Sequence, residues 1–170
     1  MTGLMQGKRG LIMGLANDRS LAWGISKALA AHGAELAFSY QGEALEKRVR
    51  PLAEQLGADF LIDCDVADMA NLDRTFETIG ERWPTIDFVV HAIGFSDKNE
   101  LRGKFVDTSL DNFLLTMNIS AYSFVAVTRR ARAMMPNGGS VLTLSYYGAE
   151  KVVPHYNVMG VAKAALETSV

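Results

Sequence analysis

The chain has 170 residues, of which 49% are hydrophobic and 21% are charged, and its formal net charge is −2. This composition is typical of a globular protein with a buried core and excludes a disordered chain, and it offers no basic surplus for nucleic acid or an anionic membrane. No apolar run is long enough to cross a bilayer, no secretory signal is recognisable, and the single cysteine, Cys64, excludes a disulfide framework. These features predict one cytoplasmic domain over residues 1–170.

The first half of the chain predicts three strands that alternate with three helices. Short apolar runs rich in β-formers indicate strands at 10–13, 35–40 and 59–62. Helical periodicity follows these runs at 21–32, 43–56 and 69–82. Gly33 and Gly57 mark helix ends, and Pro84 disfavours helix at the residue before it.

The second half continues the same alternation. It predicts a strand at 86–91, a polar loop at 96–104, a long helix at 111–135, a strand at 140–145 and a helix from about Tyr156 onwards. Parallel strands joined by right-handed helical crossovers satisfy this order. The sequence therefore predicts an α/β fold, a doubly wound parallel sheet of the Rossmann type between two helical layers. Ligands of such sheets bind beyond the carboxyl ends of the strands.

The turn between the first strand and the first helix is the first candidate binding element. Gly14 suits a tight turn, Ser20 suits a helix N-cap that also donates its hydroxyl to a phosphate, and Gly24 would let the helix pack closely on the strand. The pattern departs from GxGxxG, so an ordinary capped helix after a turn stays an alternative interpretation.

Later strand ends supply candidate adenosine contacts. Gln41 follows the second strand, where it can bind a ribose hydroxyl but cannot neutralise a 2′-phosphate, which favours NADH; a solvated loop residue is the alternative. Asp65 follows the third strand and either caps the next helix or holds the adenine amino group, and the surrounding residues do not favour a metal site. Gly94 lets a cofactor approach the backbone after the fourth strand.

Tyr156 and Lys163 form the candidate chemical pair. They are seven positions apart, which on one helix is two turns and places both side chains on one face. A nearby ammonium would favour the charged form of the phenol by Coulomb attraction, and it could also bind a nicotinamide ribose. A packed tyrosine beside a solvated lysine is the alternative, but the position after the fifth strand favours a functional pair.

With these motifs the chain resembles the enoyl-acyl-carrier-protein reductases of bacterial fatty-acid synthesis, a divergent branch of the short-chain dehydrogenase/reductase family. The resemblance extends over essentially the whole chain and is most specific at residues 142–150 and 156–163. That branch has a Tyr-x6-Lys spacing, whereas ordinary short-chain dehydrogenases have Tyr-x3-Lys, which would need a tyrosine at Met159. The Gly-x5-Ser loop from Gly14 to Ser20 matches the same branch.

The resemblance implies reduction of trans-2-enoyl thioesters by NADH, with Tyr156 on the thioester oxygen and Lys163 on the cofactor ribose. Tyr146 would line the acyl pocket, with strand-end packing as its alternative role. The implied cofactor-binding residues are Gly14, Ser20, Leu21, Gln41, Asp65, Val66, Ile93, Gly94 and Lys163.

The resemblance also implies acyl carrier protein as a partner, a homotetramer, and a longer protein whose last strands and substrate-covering loop lie beyond Val170, so that these residues alone would be inactive. Two other functions stay open at this stage. One is a carbonyl (3-oxoacyl) reductase of the same superfamily, which the Tyr-x6-Lys spacing disfavours. The other is a nucleotide-binding module without catalysis.

Overall fold

The computed structural model describes residues 3–170 and contains a five-stranded sheet in the order β3-β2-β1-β4-β5. The strands are β1 (Arg9–Met13), β2 (Glu35–Tyr40), β3 (Phe60–Asp63), β4 (Phe88–His91) and β5 (Ser140–Thr143). The pairs β1–β2, β1–β4 and β2–β3 are parallel. This order reverses direction at β1, as in a doubly wound dinucleotide-binding fold, and confirms the predicted fold class.

Helices connect the strands. They are α1 (Leu21–Ala31), α2 (Gly42–Gln55), α3 (Met69–Arg82), α4 (Leu110–Met117), α5 (Ser123–Ala133) and α6 (Val158–Glu167). Single turns of 3₁₀-helix occur at Phe105–Asp107 and Tyr147–Ala149, and a π-helical turn occupies Asn118–Tyr122. No helix within residues 3–170 combines the length and apolar character that crossing a bilayer needs.

The chain divides into two compact units. The first unit contains the described residues up to Ala92 together with Thr128–Leu142. Its centre is β1, whose residues from Gly10 to Met13 are all buried because β2 and β4 flank the strand on both sides. Ile12 and Phe38 are fully buried in the main apolar cluster of this unit, where each contributes about 1.5–3 kcal/mol by burial.

The ends of the helices in this unit follow local chemistry. Gly33 after α1 has a φ of +93°, which a glycine adopts without strain. Asp68 is the N-cap of α3, and its carboxylate accepts hydrogen bonds from the backbone N–H groups of Ala70 and Asn71. The predicted capping role of Asp65 is therefore wrong, since Asp68, three residues later, satisfies these N–H groups.

The second unit contains Ile93–Val127 and Thr143–Val170. Within it, α6 packs against α4 and against the π-helical turn. The π-helical turn separates α4 from α5, so the predicted uninterrupted helix over 111–135 is wrong. The last helix starts at Val158, which leaves Tyr156 outside it and contradicts the prediction that the tyrosine and Lys163 share one helix.

Candidate active site

The turn after β1 requires glycine at its first position. Gly14 has a φ of +92°, and a Cβ atom built on it would lie 2.0 Å from the carbonyl oxygen of Ala92. The N–H of Ala92 donates to the carbonyl oxygen of Met13 at 3.0 Å, which holds the two strand ends together. The predicted tight turn is therefore present, and its backbone is not covered by a side chain at Gly14.

Ser20 lies at the N-cap position of α1 but does not cap it. Its Oγ accepts hydrogen bonds from the backbone N–H groups of Ala16 and Asn17, both at 3.1 Å, and makes no side-chain bond to the first turn of the helix. The predicted capping bond is wrong because the serine folds back onto the loop. Leu21, the first residue of α1, is 70% exposed, so this uncapped helix start faces solvent and suits an anion.

The predicted close packing of α1 on the first strand at Gly24 is wrong. It lies on the exposed side of α1, and a Cβ atom built on it would meet no atom within 4 Å. Glycine at this position is therefore not required by packing within the described part of the chain.

The candidate adenosine residues lie at the ends of β2 and β3. Gln41 is exposed and precedes α2 without a side-chain bond to the start of that helix. Asp65 is half-buried: its N–H donates to Oδ1 of Asn71 at 2.7 Å, and its carboxylate accepts from the N–H of Ala67 at 2.9 Å. Val66 is buried beside it, at 6% exposure. These bonds hold Asp65 in place at the edge where ligands of parallel sheets bind.

In the second unit, the backbone after β4 faces the amine of Lys163. Ile93 is half-buried and Gly94 is exposed. A Cβ atom built on Gly94 would lie 3.6 Å from Cε of Met159 and 3.7 Å from Nζ of Lys163. A Cβ atom at this position would only be in ordinary van der Waals contact with these side chains, and the glycine leaves its backbone uncovered beside the lysine amine.

Ser120, which the sequence interpretation did not single out, holds the residue after Gly94. Its side chain is fully buried, and its Oγ accepts a hydrogen bond from the N–H of Phe95 and donates one to the carbonyl oxygen of Phe95, each at 2.9 Å. The sequence gives no signal that this serine, within a long helical pattern, bonds to another segment, because the contact depends on the π-helical turn.

Lys163 is buried, and a backbone carbonyl group orients its amine. It is 8% exposed, and its Nζ donates to the carbonyl oxygen of Leu144 at 2.7 Å. Burial lowers the pKa of this ammonium, because desolvation disfavours its charged form. The alternative of a solvated lysine is therefore wrong.

Tyr156 packs edge-to-face against Tyr146, with ring centroids 4.9 Å apart and an interplanar angle of 66°. A Cβ atom built on Gly148 would lie 2.4 Å from Cδ1 of Tyr156, so the tyrosine ring rests directly on glycine backbone. The pKa of Tyr156 is raised, first by burial and then by the charge of Tyr146. The phenol therefore stays protonated at neutral pH, and an effect of Lys163 on this pKa stays a prediction.

An open cavity of about 410 Å³ lies beside Tyr156. Its wall includes Phe105, Val152, Val153, Tyr156 and Val161. Tyr146 is not part of this wall, although half of its surface is exposed. Its ring contacts the ring of Tyr156, and its lining of the acyl pocket stays a prediction.

Known proteins resemble this chain closely in sequence. The family model described as enoyl-(acyl carrier protein) reductase matches residues 14–170. Enoyl-[acyl-carrier-protein] reductase [NADH] 1 of Rhizobium meliloti is 65% identical over 169 residues, which are 99% of this chain and 62% of that protein. The enoyl-[acyl-carrier-protein] reductase [NADH] of Rickettsia bellii is 55% identical, over 99% of this chain and 64% of that protein.

Solved structures agree with this likeness. The reductase of Anaplasma phagocytophilum in complex with NAD superposes with a TM-score of 0.97 at 60% identity, covering 100% of this chain and 65% of that chain. The Bacillus cereus enoyl-acyl carrier protein reductase with NADP+ and indole naphthyridinone gives a TM-score of 0.96 at 51% identity, covering 99% of this chain and 66% of that chain. The chain thus spans less than two thirds of the length of the first curated relatives it matches.

Proposed function

Because the chain belongs to the enoyl-(acyl carrier protein) reductase family, we propose that the full-length protein reduces the trans-2 double bond of enoyl-acyl-carrier-protein thioesters with NADH in fatty-acid elongation. One observation carries the proposal beyond family membership. Lys163 is buried with its amine 3.7 Å from the position that a Cβ atom of Gly94 would occupy, and it sits seven residues after a protonated tyrosine. A buried ammonium that is held by the carbonyl oxygen of Leu144 beside the backbone after β4, at the edge where ligands of parallel sheets bind, is a candidate for a ligand-binding role.

The residues fit a dinucleotide. Gly14 exposes backbone where any side chain would strike Ala92, and the start of α1 carries no side-chain cap. We assign the pyrophosphate to this turn because backbone N–H groups at a helix start favour an anion. The proposed cofactor-binding residues are Gly14, Ser20, Leu21, Gln41, Asp65, Val66, Ile93, Gly94 and Lys163.

Gln41 is the basis for proposing NADH rather than NADPH. Its amide is neutral, exposed and free of a capping bond to α2, so it can pair with ribose hydroxyls but cannot balance a 2′-phosphate. The relatives from Rhizobium and Rickettsia are named as NADH enzymes, whereas the Bacillus cereus structure contains NADP+. The cofactor preference of this chain therefore depends on its own residues.

When bound, the nicotinamide supplies a hydride to the β-carbon of the thioester. The chain's own contribution is to stabilise the negative charge that then develops on the thioester carbonyl oxygen. We propose that the phenol of Tyr156, which is protonated at neutral pH, donates a hydrogen bond to that oxygen. Lys163 holds the cofactor ribose, and Tyr146 orients Tyr156 through the ring contact.

Three further features belong to the proposal. Acyl carrier protein is the partner that presents the enoyl chain, and the protein acts in the cytoplasm as a homotetramer. Exposed apolar side chains on α4, the π-helical turn and the start of α5 support an assembly, because such a patch is unfavourable in water. They are Leu110, Leu114, Leu115, Tyr122 and Val125.

The test is NADH oxidation by the full-length protein with a crotonyl thioester beside an acetoacetyl thioester. Oxidation with the crotonyl compound alone is the expected result. Oxidation with the acetoacetyl compound alone would overturn the proposal in favour of a carbonyl reductase. If NADH binds but is oxidised with neither thioester, the result would favour a nucleotide-binding module without catalysis.

A further inference from the structure

We propose that Ser120 is a positioning residue for the nicotinamide half of the cofactor. It fixes the backbone of Phe95 and thereby sets the backbone of Gly94 against the amine of Lys163. The inference rests on the proposed function and assigns a task to a residue outside the Tyr-x6-Lys motif.

The hydroxyl of Ser120 bonds to both peptide groups of Phe95. It accepts from the N–H and donates to the carbonyl oxygen, both at 2.9 Å, and it also lies 3.6 Å from the sulfur of Met159, while the side chain is fully shielded from water. The side chain of Phe95, in contrast, is 53% exposed, so packing of the ring does not fix this backbone. The buried serine is therefore the hydrogen-bond partner of both the N–H and the carbonyl of Phe95, whereas the next two residues are held by Thr116 and Asn112.

The π-helical turn explains how a helical serine reaches this backbone. Buried serines in helices ordinarily donate to the carbonyl oxygen four residues earlier, as Ser123 does to Ile119 and Ser26 does to Ala22. Ser120 lies inside the π-helical turn Asn118–Tyr122 and bonds to another segment instead. Such turns interrupt α-helices frequently at functional sites, because the extra residue redirects a side chain.

The backbone that Ser120 holds lies against the lysine. A Cβ atom on Gly94 would lie 3.8 Å from Oγ of Ser120 and 3.7 Å from Nζ of Lys163. If the hydroxyl is removed, the N–H and the carbonyl of Phe95 lose their shared partner and the peptide after Gly94 can rotate. A displacement of about 1 Å in a positioning group can lower a rate by about 10²-fold.

The experiment compares Ser120→Ala with Ser26→Ala in the full-length protein. Both substitutions remove a fully buried hydroxyl, but the hydroxyl of Ser26 stays within α1. We expect Ser120→Ala to raise the KM and the dissociation constant for NADH by about tenfold and to lower kcat, with a smaller change in the KM for the crotonyl thioester. Ser26→Ala should lower the melting temperature to a similar extent and leave both KM values within about twofold.

A second variant keeps the test decisive if Ser120→Ala does not fold. Ser120→Cys keeps the shape of the side chain with a somewhat larger atom and offers only a weak donor and acceptor, so it should shift NADH affinity in the same direction. Faster hydrogen exchange at the Phe95 amide should accompany either change. NADH affinity and kcat equal to those of Ser26→Ala, or equal increases in both KM values, would overturn the inference.

Failure of the proposed function is distinguishable from failure of this inference. If the wild-type protein oxidises NADH with neither thioester, the proposed function fails. The ratio of NADH dissociation constants between wild type and Ser120→Ala still reports on the role of Ser120.

Discussion

The amine of Lys163 donates a 2.7 Å hydrogen bond to the carbonyl oxygen of Leu144. This bond uses one of the three N–H groups of the ammonium and fixes the direction of the others. With 8% of the residue exposed, few water molecules can serve the remaining N–H groups. The lysine is therefore held ready for a second acceptor, which the proposed cofactor ribose supplies.

Replacing Lys163 should weaken NADH binding. In Lys163→Met the apolar stem is retained and the ammonium is lost, so we expect the dissociation constant for NADH to rise at least about tenfold, the equivalent of one charge-assisted hydrogen bond. Titration of NADH fluorescence measures the effect, with Lys151→Met, an exposed lysine in the same unit, as the control. Equal affinities in wild type and Lys163→Met would contradict the assignment.

The affinity for NADH should also depend on pH through the same group. Burial lowers the pKa of Lys163 below the ordinary lysine value of 10.5, so the ammonium loses its proton at a lower pH than a solvated lysine. Because the protonated form donates to the cofactor, affinity should fall as the pH rises through this lowered pKa. The decrease should be absent in Lys163→Met, and a decrease of the same size in that variant would assign the titration to another group.

Tyr156→Phe should lower kcat with little change in NADH affinity. Removing one donor to a developing oxyanion lowers kcat by about 10²–10³-fold. The ring and its contact with Tyr146 remain, since the phenylalanine ring can occupy the same place 4.9 Å away. Steady-state kinetics with a crotonyl thioester measure the loss, and Tyr146→Phe provides the matched control, with a much smaller decrease expected. A comparable loss in both variants would mean that Tyr156 has no special role.

Substitution by alanine should have opposite effects on stability at Gly14, in the turn after β1, and at Gly24, within α1. Gly14→Ala forces an alanine to a φ of +92° and its Cβ to within 2.0 Å of Ala92, so the free energy of unfolding should fall by about 2 kcal/mol or more. Gly24→Ala places a methyl group in open space within α1 and should raise stability by about 1 kcal/mol. Urea unfolding measures both changes, and a stable Gly14→Ala protein would show that the turn can relax.

Regular elements followed from the sequence where local signals agreed. The predicted strand at 35–40 and the predicted helix at 69–82 match β2 and α3 residue for residue. In α3 a polar start, an apolar stripe and the following Pro84 all indicate the same bounds, and Trp83 has the extended conformation expected before proline.

The site was less predictable because it depends on irregular backbone. The π-helical turn leaves the apolar pattern of the long helix intact, so the periodicity gave no sign of it or of the Ser120 contact. Tyr156 lies between two non-glycine residues with positive φ, His155 at 64° and Asn157 at 39°. No propensity rule predicts that pair of conformations, so the helical pattern in the sequence includes the tyrosine although α6 begins at Val158. The spacing of Tyr156 and Lys163 is a property of the sequence, whereas their geometry depends on this irregular backbone.

Asp65 and Asp68, which lie between β3 and α3, should have separable roles. Asp68→Ala removes the acceptor for two N–H groups of α3 and should lower the free energy of unfolding by about 1 kcal/mol without changing NADH affinity. Asp65→Ala removes the acceptor for Ala67, and because we propose an adenine contact for Asp65, it should weaken NADH binding instead. Thermal unfolding and NADH titration of both variants distinguish the two roles. A loss of NADH affinity in Asp68→Ala alone would assign the cofactor contact to Asp68 instead of Asp65.

Asn157 joins the segment of Tyr156 to the preceding loop at a strained backbone position. Its φ of 39° and ψ of −123° lie where glycine is favoured, and its side-chain amide donates to the carbonyl oxygens of Glu100 at 3.3 Å and of Gly103 at 3.4 Å. Such strain persists where surrounding contacts impose it, and it is concentrated at functional sites. Two substitutions separate the backbone conformation from the side-chain bonds, because glycine and alanine both lack the amide.

Asn157→Gly should be more stable than Asn157→Ala by at least about 1 kcal/mol, since only glycine adopts this conformation without strain. In both variants the loop at Glu100 loses its bonds to the residue after Tyr156, so kcat should fall by a similar factor in the two proteins. Urea unfolding and steady-state kinetics therefore give independent answers. Full kcat in Asn157→Gly with reduced kcat in Asn157→Ala would show that the backbone conformation alone, and not the amide contacts, positions Tyr156 for the proposed reaction.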